Sequence, residues 1–301
     1  MNTISDLLVQ YREYMKITQN ELAKELSSCC DAFKNLNAVT VSRWETGTTT
    51  PSLLKKKLLL SFFASRSECL TVEGTCSDIM HEAYERLYES LSTVFTRNYQ
   101  SLIGNLPEQR IGQHNIHNLK VFTQKLEHVE HIIDIEKATN LTNYYTINPT
   151  LLAQWCAIPS SFCIVAERKK QHLGHFIMLK LKNHVAEEIA HHKRSEFDLN
   201  NHDFCDINEN GTYYIHALYG RSPMIAAELN VKAYLHLFEN LKYTDNVMIF
   251  STRTDGVLLT KDYGIKVIDS GEDDAYGFQW YGMLSPVEDI LFSDTVLKLV
   301  F

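Results

Sequence analysis

Two stretches, TQNELAKEL at residues 18–26 and VTVSRWETGTTTPS at residues 39–52, decide the fold of the first part of the chain. Thr18 and Glu21 have the spacing of a capping box, in which each side chain bonds the backbone N–H of the other residue, so a helix is expected to begin here. Asn37 is suited to cap a further short helix because its side-chain oxygen accepts a backbone N–H. The two stretches therefore predict short helices joined by tight turns.

Apolar residues on both sides of these stretches recur at helical spacing, which predicts two more helices. Gly47 is expected to end the third helix in a left-handed conformation, and Pro51 to start a fourth. The residues expected to face the core are Ile4, Leu7, Leu8, Tyr11, Met15, Leu22, Ala23, Leu26, Val41, Trp44, Leu53, Leu54, Leu58, Leu59, Phe62 and Phe63. The pattern therefore predicts an all-α domain of four helices at residues 1–66.

Together these features resemble the Cro/CI-type (XRE) helix-turn-helix of phage and bacterial repressors, across about residues 4–65. The resemblance implies a lambda-repressor-like fold that places its third helix in the major groove of DNA. It also implies an ion pair between Arg12 and Glu45 that fixes the angle between the first and third helices. One departure is clear, because residues 27–36 stand where the family has a very short turn.

A recognition helix must present small or polar side chains at its N-terminal half. Ala38 and Val39 are suited to contact a thymine methyl group, and Arg43 is suited to reach guanine or phosphate. The alternative for Arg43 is a solvated surface arginine. Gln19 lies where the family holds a phosphate at the start of the second helix. The candidate DNA-binding residues are Thr18, Gln19, Asn37, Ala38, Val39, Thr40, Ser42 and Arg43.

The charge distribution agrees with DNA contact at one end of the chain. The whole chain has a formal net charge of −8, which argues against a general nucleic-acid binder. Residues 1–66 contain nine Lys and Arg against six Asp and Glu, so they carry +3 and the remainder carries −11. Residues 55–57 are three consecutive lysines. They form either a solvated face or a contact to the DNA backbone.

Residues 67–112 are expected to form a helical connector and linker. Five apolar residues repeat there at 4-3-4-3 spacing, which amounts to two heptads. This is too short to distinguish a helix that pairs across a dimer from one that packs onto the C-terminal domain. These residues are Met80, Tyr84, Leu87, Leu91 and Val94. Both interpretations stay open.

Composition narrows the class of protein further. No stretch approaches the roughly 20 apolar residues of a membrane helix, and the seven cysteines contain no CxxC pair. We therefore expect a cytoplasmic protein with reduced thiols and no membrane contact. Histidine pairs at residues 114 and 117 and at residues 128 and 131 favour a solvated helix surface over a metal site, because no cysteine lies at ligand spacing.

Residues 113–301 have the pattern of an α+β domain with a mixed sheet. Residues 162–182 predict a hairpin of two strands joined by a charged turn. Apolar spacing predicts a long amphipathic helix at residues 225–241. The further elements expected are strands at residues 211–219, 246–252, 265–269 and 278–284, and helices near Val129–Ile135 and at residues 255–264.

This element order resembles the GNAT acetyltransferase fold, which implies an acyl-CoA cleft. The family's Arg/Gln-x-x-Gly-x-Gly/Ala loop falls on residues 221–226, so Arg221, Ser222 and Ala226 are the implied cofactor-binding residues. Met224 replaces the central glycine, and Pro223 removes a backbone N–H. The position of the family's general-acid tyrosine falls on Thr260, with Tyr263 close by. Catalysis is therefore not expected, no catalytic residue is assigned, and the domain is expected to act in sensing or dimerisation.

The leading hypothesis is a sequence-specific transcriptional regulator that binds a pseudo-palindromic double-stranded DNA operator as a homodimer. The alternative is a DNA-targeted N-acetyltransferase that uses acetyl-CoA. A third hypothesis is a switch in which a small-molecule effector in the C-terminal cleft changes operator affinity. A fourth is an antitoxin-like protein that binds a partner through its acidic body.

Overall fold

The structure is a computed structural model that describes residues 4–64, 88–89, 91, 93, 95, 115–118, 126–139, 147–293 and 296. By its contacts the chain divides into two compact units, one of residues 1–87 with 292–301 and one of residues 88–291. Most of the predicted connector lies outside the described residues, including Met80, Tyr84, Leu87 and Val94.

The first unit contains the four predicted helices. They are α1 (Ile4–Met15), α2 (Gln19–Cys29), α3 (Ala38–Glu45) and α4 (Leu53–Ala64). Of the residues expected in its core, the buried ones are Ile4, Leu8, Tyr11, Leu22, Ala23, Leu26, Val41, Trp44, Leu59, Phe62 and Phe63. Leu7 and Leu58 are half-buried against them.

Two of the expected core residues are exposed, and for these the prediction is wrong. Met15 is the last residue of α1, where the chain leaves the helix through Lys16 at a φ of 54°. Leu54 lies in the first turn of α4. Helical spacing places both residues on the apolar face, but each lies at an end of its helix.

The predicted starts of α2 and α3 and the predicted end of α3 are confirmed, whereas α4 begins at Leu53, two residues after Pro51. The Thr18 hydroxyl accepts the Glu21 N–H at 3.2 Å, and the Glu21 carboxylate accepts the Thr18 N–H at 2.7 Å, which completes the capping box. The Asn37 side chain accepts the Thr40 N–H at 2.9 Å. Gly47 has a φ of 69°, the left-handed conformation that ends a helix.

The insertion at residues 27–36 contributes an aromatic residue to the core. Helix α2 continues to Cys29, and a 3₁₀ turn (Asp31–Phe33) follows it. Phe33 is buried, with its ring centroid 6.4 Å from that of Trp44 in an edge-on arrangement. The Ser27 hydroxyl donates to the Phe33 carbonyl at 2.8 Å. The longer connection between α2 and α3 is therefore packed against the helices that it joins.

The second unit is built on a seven-stranded sheet in the order β1-β2-β3-β4-β5-β7-β6. The strands are β1 (Asn115–Asn118), β2 (Phe162–Arg168), β3 (Gln171–Leu181), β4 (Gly211–Gly220), β5 (Thr244–Ser251), β6 (Val267–Asp273) and β7 (Phe278–Pro286). The helices are α5 (Leu126–Thr139), α6 (Pro149–Ala157), α7 (Asn183–Ala190), α8 (Pro223–Glu239), α9 (Thr254–Asp262) and α10 (Val287–Leu291). Only β4 and β5, among the described strands, pair in parallel.

Most elements of this unit match the sequence prediction. The β2–β3 hairpin turns at Lys169 and Lys170, both with positive φ, as a two-residue turn of type I′ requires. The edge strand β6 begins two residues later than predicted, because its ladder with β7 starts at Val267 and extends through the acidic residues to Asp273. Strand β1 and helices α6 and α7 were not predicted.

The pairing of β4 with β5 stops before either strand ends. Their parallel ladder ends at Ile215 and Ile249, whereas β4 continues to Gly220 and β5 to Ser251. On its other edge β4 stays paired to β3, but Ile215 and Ala217 oppose consecutive residues of β3. His216 is therefore the extra residue of a β-bulge, which bends the strand. The two strands diverge from this point, and a cleft opens between their carboxyl ends.

Helix α7 packs directly on the sheet at Gly282 of β7. A Cβ atom at this position would lie 1.6 Å from the Ala190 carbonyl oxygen, so only glycine allows the approach. Among the residues that the structure describes, no helix combines the length and apolar character needed to cross a bilayer.

Candidate functional site

The cleft between β4 and β5 contains a cavity of about 180 Å³. Its walls come from the diverging ends of both strands and from α9. The apolar part of the lining includes Phe95, Ile215, Leu218, Ile249, Phe250 and Leu259. The ionisable side chains in the lining are Glu136, Glu196, His216 and Arg253. A mostly apolar cavity with a few convergent polar groups is typical of a ligand site.

His216 and Glu196 form a hydrogen-bonded pair in this cavity. The His216 Nδ1 atom lies 3.0 Å from Glu196 Oε2, and the two side chains are 0% and 8% exposed. The Tyr214 hydroxyl donates to the same carboxylate oxygen. A carboxylate at Nδ1 favours the tautomer that keeps the proton there, which leaves Nε2 as the basic atom. The pair has the form of a general base held by a carboxylate.

Local structure explains why these residues meet. Tyr214 and His216 lie two residues apart on β4, and their rings are neighbours with centroids 5.7 Å apart. Glu196 begins a 3₁₀ turn (Glu196–Asp198) that follows α7. The Trp155 ring packs edge-on against His216, with centroids 5.7 Å apart. The imidazole is thus fixed at the bulge where the strands diverge.

A second carboxylate in the cavity is linked to two buried histidines. Glu136 Oε1 lies 2.9 Å from His175 Nε2, and His175 Nδ1 lies 3.0 Å from His172 Nε2. Both histidines lie on β3, three residues apart, and would face opposite sides of a regular strand. The β2–β3 ladder skips Leu173, because Glu167 opposes His172 and Ala166 opposes Gly174. This bulge allows the two imidazoles to meet.

The junction of β4 and α8 contains the residues predicted to bind a cofactor, and most of its backbone donors are already occupied. The Arg221 N–H donates to the Leu173 carbonyl at 2.7 Å. The Ile225 N–H donates to the Ser222 hydroxyl at 3.3 Å, the Ala226 N–H donates to the Ser222 carbonyl at 3.0 Å, and proline at 223 has no N–H. Of Arg221, Ser222 and Ala226, only Ala226 lines the described cavity.

Of the two positions considered for a general acid, Thr260 and Tyr263, only the first lies in the described lining of the cavity. Thr260 lines the cavity, and its hydroxyl donates to the Val257 carbonyl at 3.0 Å. Tyr263 has a buried hydroxyl that lies near Tyr234, and it is outside the described lining of the cavity. The cavity does bring together Glu136, Glu196 and His216, and neither glutamate was a candidate from the sequence.

The predicted DNA-binding residues of α3 lie on the surface of the first unit. Val39 is 60% exposed, and Asn37 and Arg43 are exposed too. Ala38, Thr40 and Ser42 are half-buried, and Thr18 on the preceding turn is exposed. The helix presents its N-terminal half, whereas Val41 and Trp44 are buried, as predicted for core residues.

The predicted ion pair between α1 and α3 is present and also binds Gln19. Arg12 Nε lies 2.9 Å from Glu45 Oε1, and Gln19 Nε2 donates to Glu45 Oε2 at 2.7 Å. Gln19 therefore joins the three helices at their ends. Within the lysine run, the Lys55 ammonium lies 5.7 Å from the centre of the Trp44 ring, a cation–π distance.

Comparisons with known proteins find no matching protein-family model and no matching curated sequence. Among solved structures, the chain is similar to FeeM, an N-acyl amino acid synthase from uncultured soil microbes, at 12% identity and a TM-score of 0.43, over 59% of this chain and 94% of that one. It is similar to an acetyltransferase of the GNAT family from Streptococcus pneumoniae at 12% identity and a TM-score of 0.39, over 58% and 99% of the two chains.

A third similar structure is an agmatine N-acetyltransferase, at 12% identity and a TM-score of 0.40, over 57% of this chain and 99% of that one. The second unit is an α+β domain with a mixed sheet, as expected from the sequence. From about residue 160 to residue 290, the chain resembles the GNAT acetyltransferase fold.

Proposed function

We propose that the second unit binds an acyl thioester in the cleft between β4 and β5 and transfers the acyl group to an amine. The observation that carries the proposal is the His216–Glu196 pair, which lies in the lining of the cavity at the point where the strands diverge. The sequence alone favoured a cleft without catalysis, because two of the family's devices are altered. The pair supplies a base that neither device provides.

The diverging strands support binding of an extended thioester. Beyond Ile215, the edge of β4 that faces β5 has no strand partner among the described residues. Its backbone N–H and C=O groups are therefore suited to bond the amide groups of an extended chain such as pantetheine. The apolar lining next to it suits the acyl group.

The proposed reaction is direct transfer. The amine nitrogen attacks the thioester carbonyl carbon, the new C–N bond forms, and the C–S bond breaks. His216 Nε2 takes the proton that the nitrogen loses and returns it to the departing thiolate, so the products are an amide and a thiol. Glu196 stabilises the imidazolium formed between these two steps.

The β4–α8 junction argues against strong recognition of a nucleotide diphosphate. A helix N-terminus binds phosphate through unoccupied N–H groups, and here those of Arg221, Ile225 and Ala226 are already bonded. We therefore expect acyl-CoA and the corresponding acyl-pantetheine to have similar KM values.

A transfer assay tests the proposal. The protein is incubated with acetyl-CoA, octanoyl-CoA or S-octanoyl pantetheine and a panel of primary amines, and products are identified by mass spectrometry. We expect an amide product whose formation falls by about 10²-fold or more in His216→Gln, while the exposed control His202→Gln stays unchanged. Absence of product with every pair, or equal rates in His216→Gln and the wild type, would contradict it.

We infer a second function, binding of double-stranded DNA, for the first unit. A specific observation favours it: α3 begins at the exposed cap Asn37 and presents Val39 and Arg43 to solvent, while its other face is fixed by Trp44. This is how a recognition helix must be presented to enter a major groove. A homodimer on two half-sites about one helical turn apart completes the proposal.

Selection of bound sequences from a random duplex library tests this function. We expect an enriched motif with pseudo-two-fold symmetry. A library recovered without enrichment would refute sequence-specific binding. Repeating the binding assay with S-octanoyl pantetheine shows whether a ligand in the cleft acts as an effector, since such a ligand must change the affinity for DNA.

A further inference from the structure

Three side chains of the second unit form a continuous hydrogen-bonded chain that starts in the cavity. Glu136 lines the cavity and bonds His175, with 2.9 Å between Oε1 and Nε2. His175 in turn bonds His172, with 3.0 Å between Nδ1 and Nε2. The two imidazoles are thus joined through opposite ring nitrogens, which is the arrangement that passes a proton through a ring.

The side chains of this hydrogen-bonded chain are largely buried. The His175 side chain is fully buried and stacks on Tyr219, with ring centroids 5.8 Å apart. His172 is 8% exposed, and its Nδ1 atom is buried without a hydrogen-bond partner among the described residues. Burial, together with the neighbouring His175, lowers the pKa of His172 to about 3, so its imidazole is neutral near pH 7.

The far end of the chain approaches a polar region on α5. His128 and His131 both interact electrostatically with His172. His131 is exposed, and His128 Nε2 lies 3.2 Å from Glu167 Oε2 of β2. The histidines of α5 are therefore the groups that we infer receive a proton from His172 Nδ1, and His131 is in contact with solvent.

We propose that Glu136, His175 and His172 form a proton relay between the cleft and the surface near His131. The inference rests on the proposed acyl transfer, because that reaction releases one proton when an ammonium substrate is acylated and the thiol product leaves. In the loaded arrangement Glu136 is protonated, His175 holds its proton on Nδ1, and His172 holds its proton on Nδ1.

Discharge moves one proton along each link. Glu136 gives its proton to His175 Nε2, His175 gives its Nδ1 proton to His172 Nε2, and His172 loses its Nδ1 proton toward α5. Glu136 is left as a carboxylate, and both rings return to the Nδ1-protonated tautomer before the next proton passes. Both imidazoles stay neutral, so no charge remains in the buried sheet.

The two arrangements make a prediction that does not need activity. In the discharged form both histidines carry the proton on Nε2, and in the loaded form both carry it on Nδ1. A shared hydrogen between the rings excludes the mixed state with His175 protonated on Nε2 and His172 on Nδ1. Nitrogen-15 NMR of histidine-labelled protein distinguishes these tautomers. Detection of the mixed state in the wild type would overturn the relay.

Glu136→Gln tests the coupling along the chain. A glutamine is neutral and offers either an oxygen or an NH₂ group to His175. The Nδ1-protonated and the Nε2-protonated tautomers therefore both become populated at both rings. We expect the nitrogen signals of His172 to shift, although two hydrogen bonds separate it from the substitution. The control Glu130→Gln, on the exposed face of the same helix, leaves them in place. Unmoved His172 signals in a folded Glu136→Gln protein would also overturn the relay.

Where acyl transfer is measurable, the solvent isotope effect adds a second readout. A relay moves several protons in one step, so a plot of rate against deuterium content is curved in the wild type and becomes linear in His172→Asn. A plot that is linear in both proteins would contradict the relay while leaving acyl transfer intact. If no acyl transfer is found, the NMR measurement still decides the tautomers, so the two proposals fail separately.

Discussion

His216 Nδ1 lies 3.0 Å from Glu196 Oε2, and the Tyr214 hydroxyl donates to the same oxygen. The three side chains come from a strand and from a 3₁₀ turn that are distant in sequence, and they meet at the bulge where β4 leaves β5. This relationship favours the tautomer of His216 with the proton on Nδ1, which leaves Nε2 as the basic atom. In the proposed reaction, His216 touches the reacting groups, whereas Glu196 and Tyr214 position His216.

Tyr214→Phe tests this separation. The substitution removes one of the two donors to Glu196 but leaves His216 in place, so we expect kcat to fall about tenfold, less than the 10²–10⁴-fold expected for loss of the base. KM stays unchanged because Tyr214 is not part of the described lining. Steady-state kinetics of transfer measure both values. Tyr276→Phe, at an exposed tyrosine, serves as control, and an equal loss in both variants would argue against a positioning role.

Arg43→Ala tests the DNA-binding face. An arginine that contacts a guanine edge contributes about 1–3 kcal/mol, so we expect the affinity for a selected operator to fall about 5- to 150-fold. Lys24→Ala removes the same charge from an exposed position on α2 and should have a smaller effect that is uniform across sequences. Mobility-shift titrations at fixed salt give both values. Equal effects of the two substitutions would show that charge alone matters.

Asn37 allows stability and DNA binding to be separated. Its side chain caps α3 by accepting the Thr40 N–H at 2.9 Å. Asn37→Ala is expected to cost about 1 kcal/mol in the free energy of unfolding, whereas Asn37→Asp keeps the cap and should cost almost nothing. The added carboxylate faces DNA phosphates in the proposed complex and should lower affinity about tenfold. Urea unfolding and mobility shifts provide the two measurements, and unchanged affinity in Asn37→Asp would place the helix end away from DNA.

Gly282→Ala tests the packing of α7 on the sheet. The new Cβ would lie 1.6 Å from the Ala190 carbonyl oxygen, so the backbone must move. We expect a loss of about 3 kcal/mol in the free energy of unfolding. Gly277→Asn is the matched control, because Gly277 has a φ of 68°, which asparagine tolerates, and no atom lies within 4 Å of an added Cβ. Similar thermal unfolding of both variants would show that α7 and β7 can move apart at little cost in stability.

The contact between His192 and Asp273 predicts a pH dependence. The hydrogen bond from His192, 2.8 Å long, holds the pKa of Asp273 below its ordinary value, assisted by backbone N–H groups in the following turn. A carboxyl with a lower pKa in the folded state stabilises the fold above its unfolded pKa of about 4 and loses this effect as pH falls through the folded pKa. Asp273→Asn should therefore lower the urea midpoint at pH 6, with the difference shrinking toward pH 3. A difference that stays constant with pH would exclude this contribution.

The helices of the first unit were predictable because their signals are local. Thr18 and Glu21 form a capping box three residues apart, and Asn37 and Gly47 act within one turn of α3. The misplaced residues, Met15 and Leu54, show the limit of this reasoning. Helical spacing gives the face on which a residue lies, but whether a partner covers the end of that face depends on contacts distant in sequence.

The sheet of the second unit was largely predictable, and its site was not. Strands such as those at residues 162–182 are marked by apolar runs around a charged turn. The bulges at Leu173 and His216 leave no such mark, because register is set by pairing between strands. Glu196 lies twenty residues before His216, in a 3₁₀ turn without a distinctive motif, and only the folded chain brings them together.

Hydrogen exchange of the backbone amides at residues 216–220 measures thioester binding most directly. This segment forms the edge of β4 that has no partner in the described part of β5. With saturating S-octanoyl pantetheine, we expect slower exchange within these residues, because the ligand would bond backbone groups on the edge of β4 that β5 does not pair. Unchanged exchange at residues 216–220 across the whole concentration range would contradict a thioester site between the diverging strands.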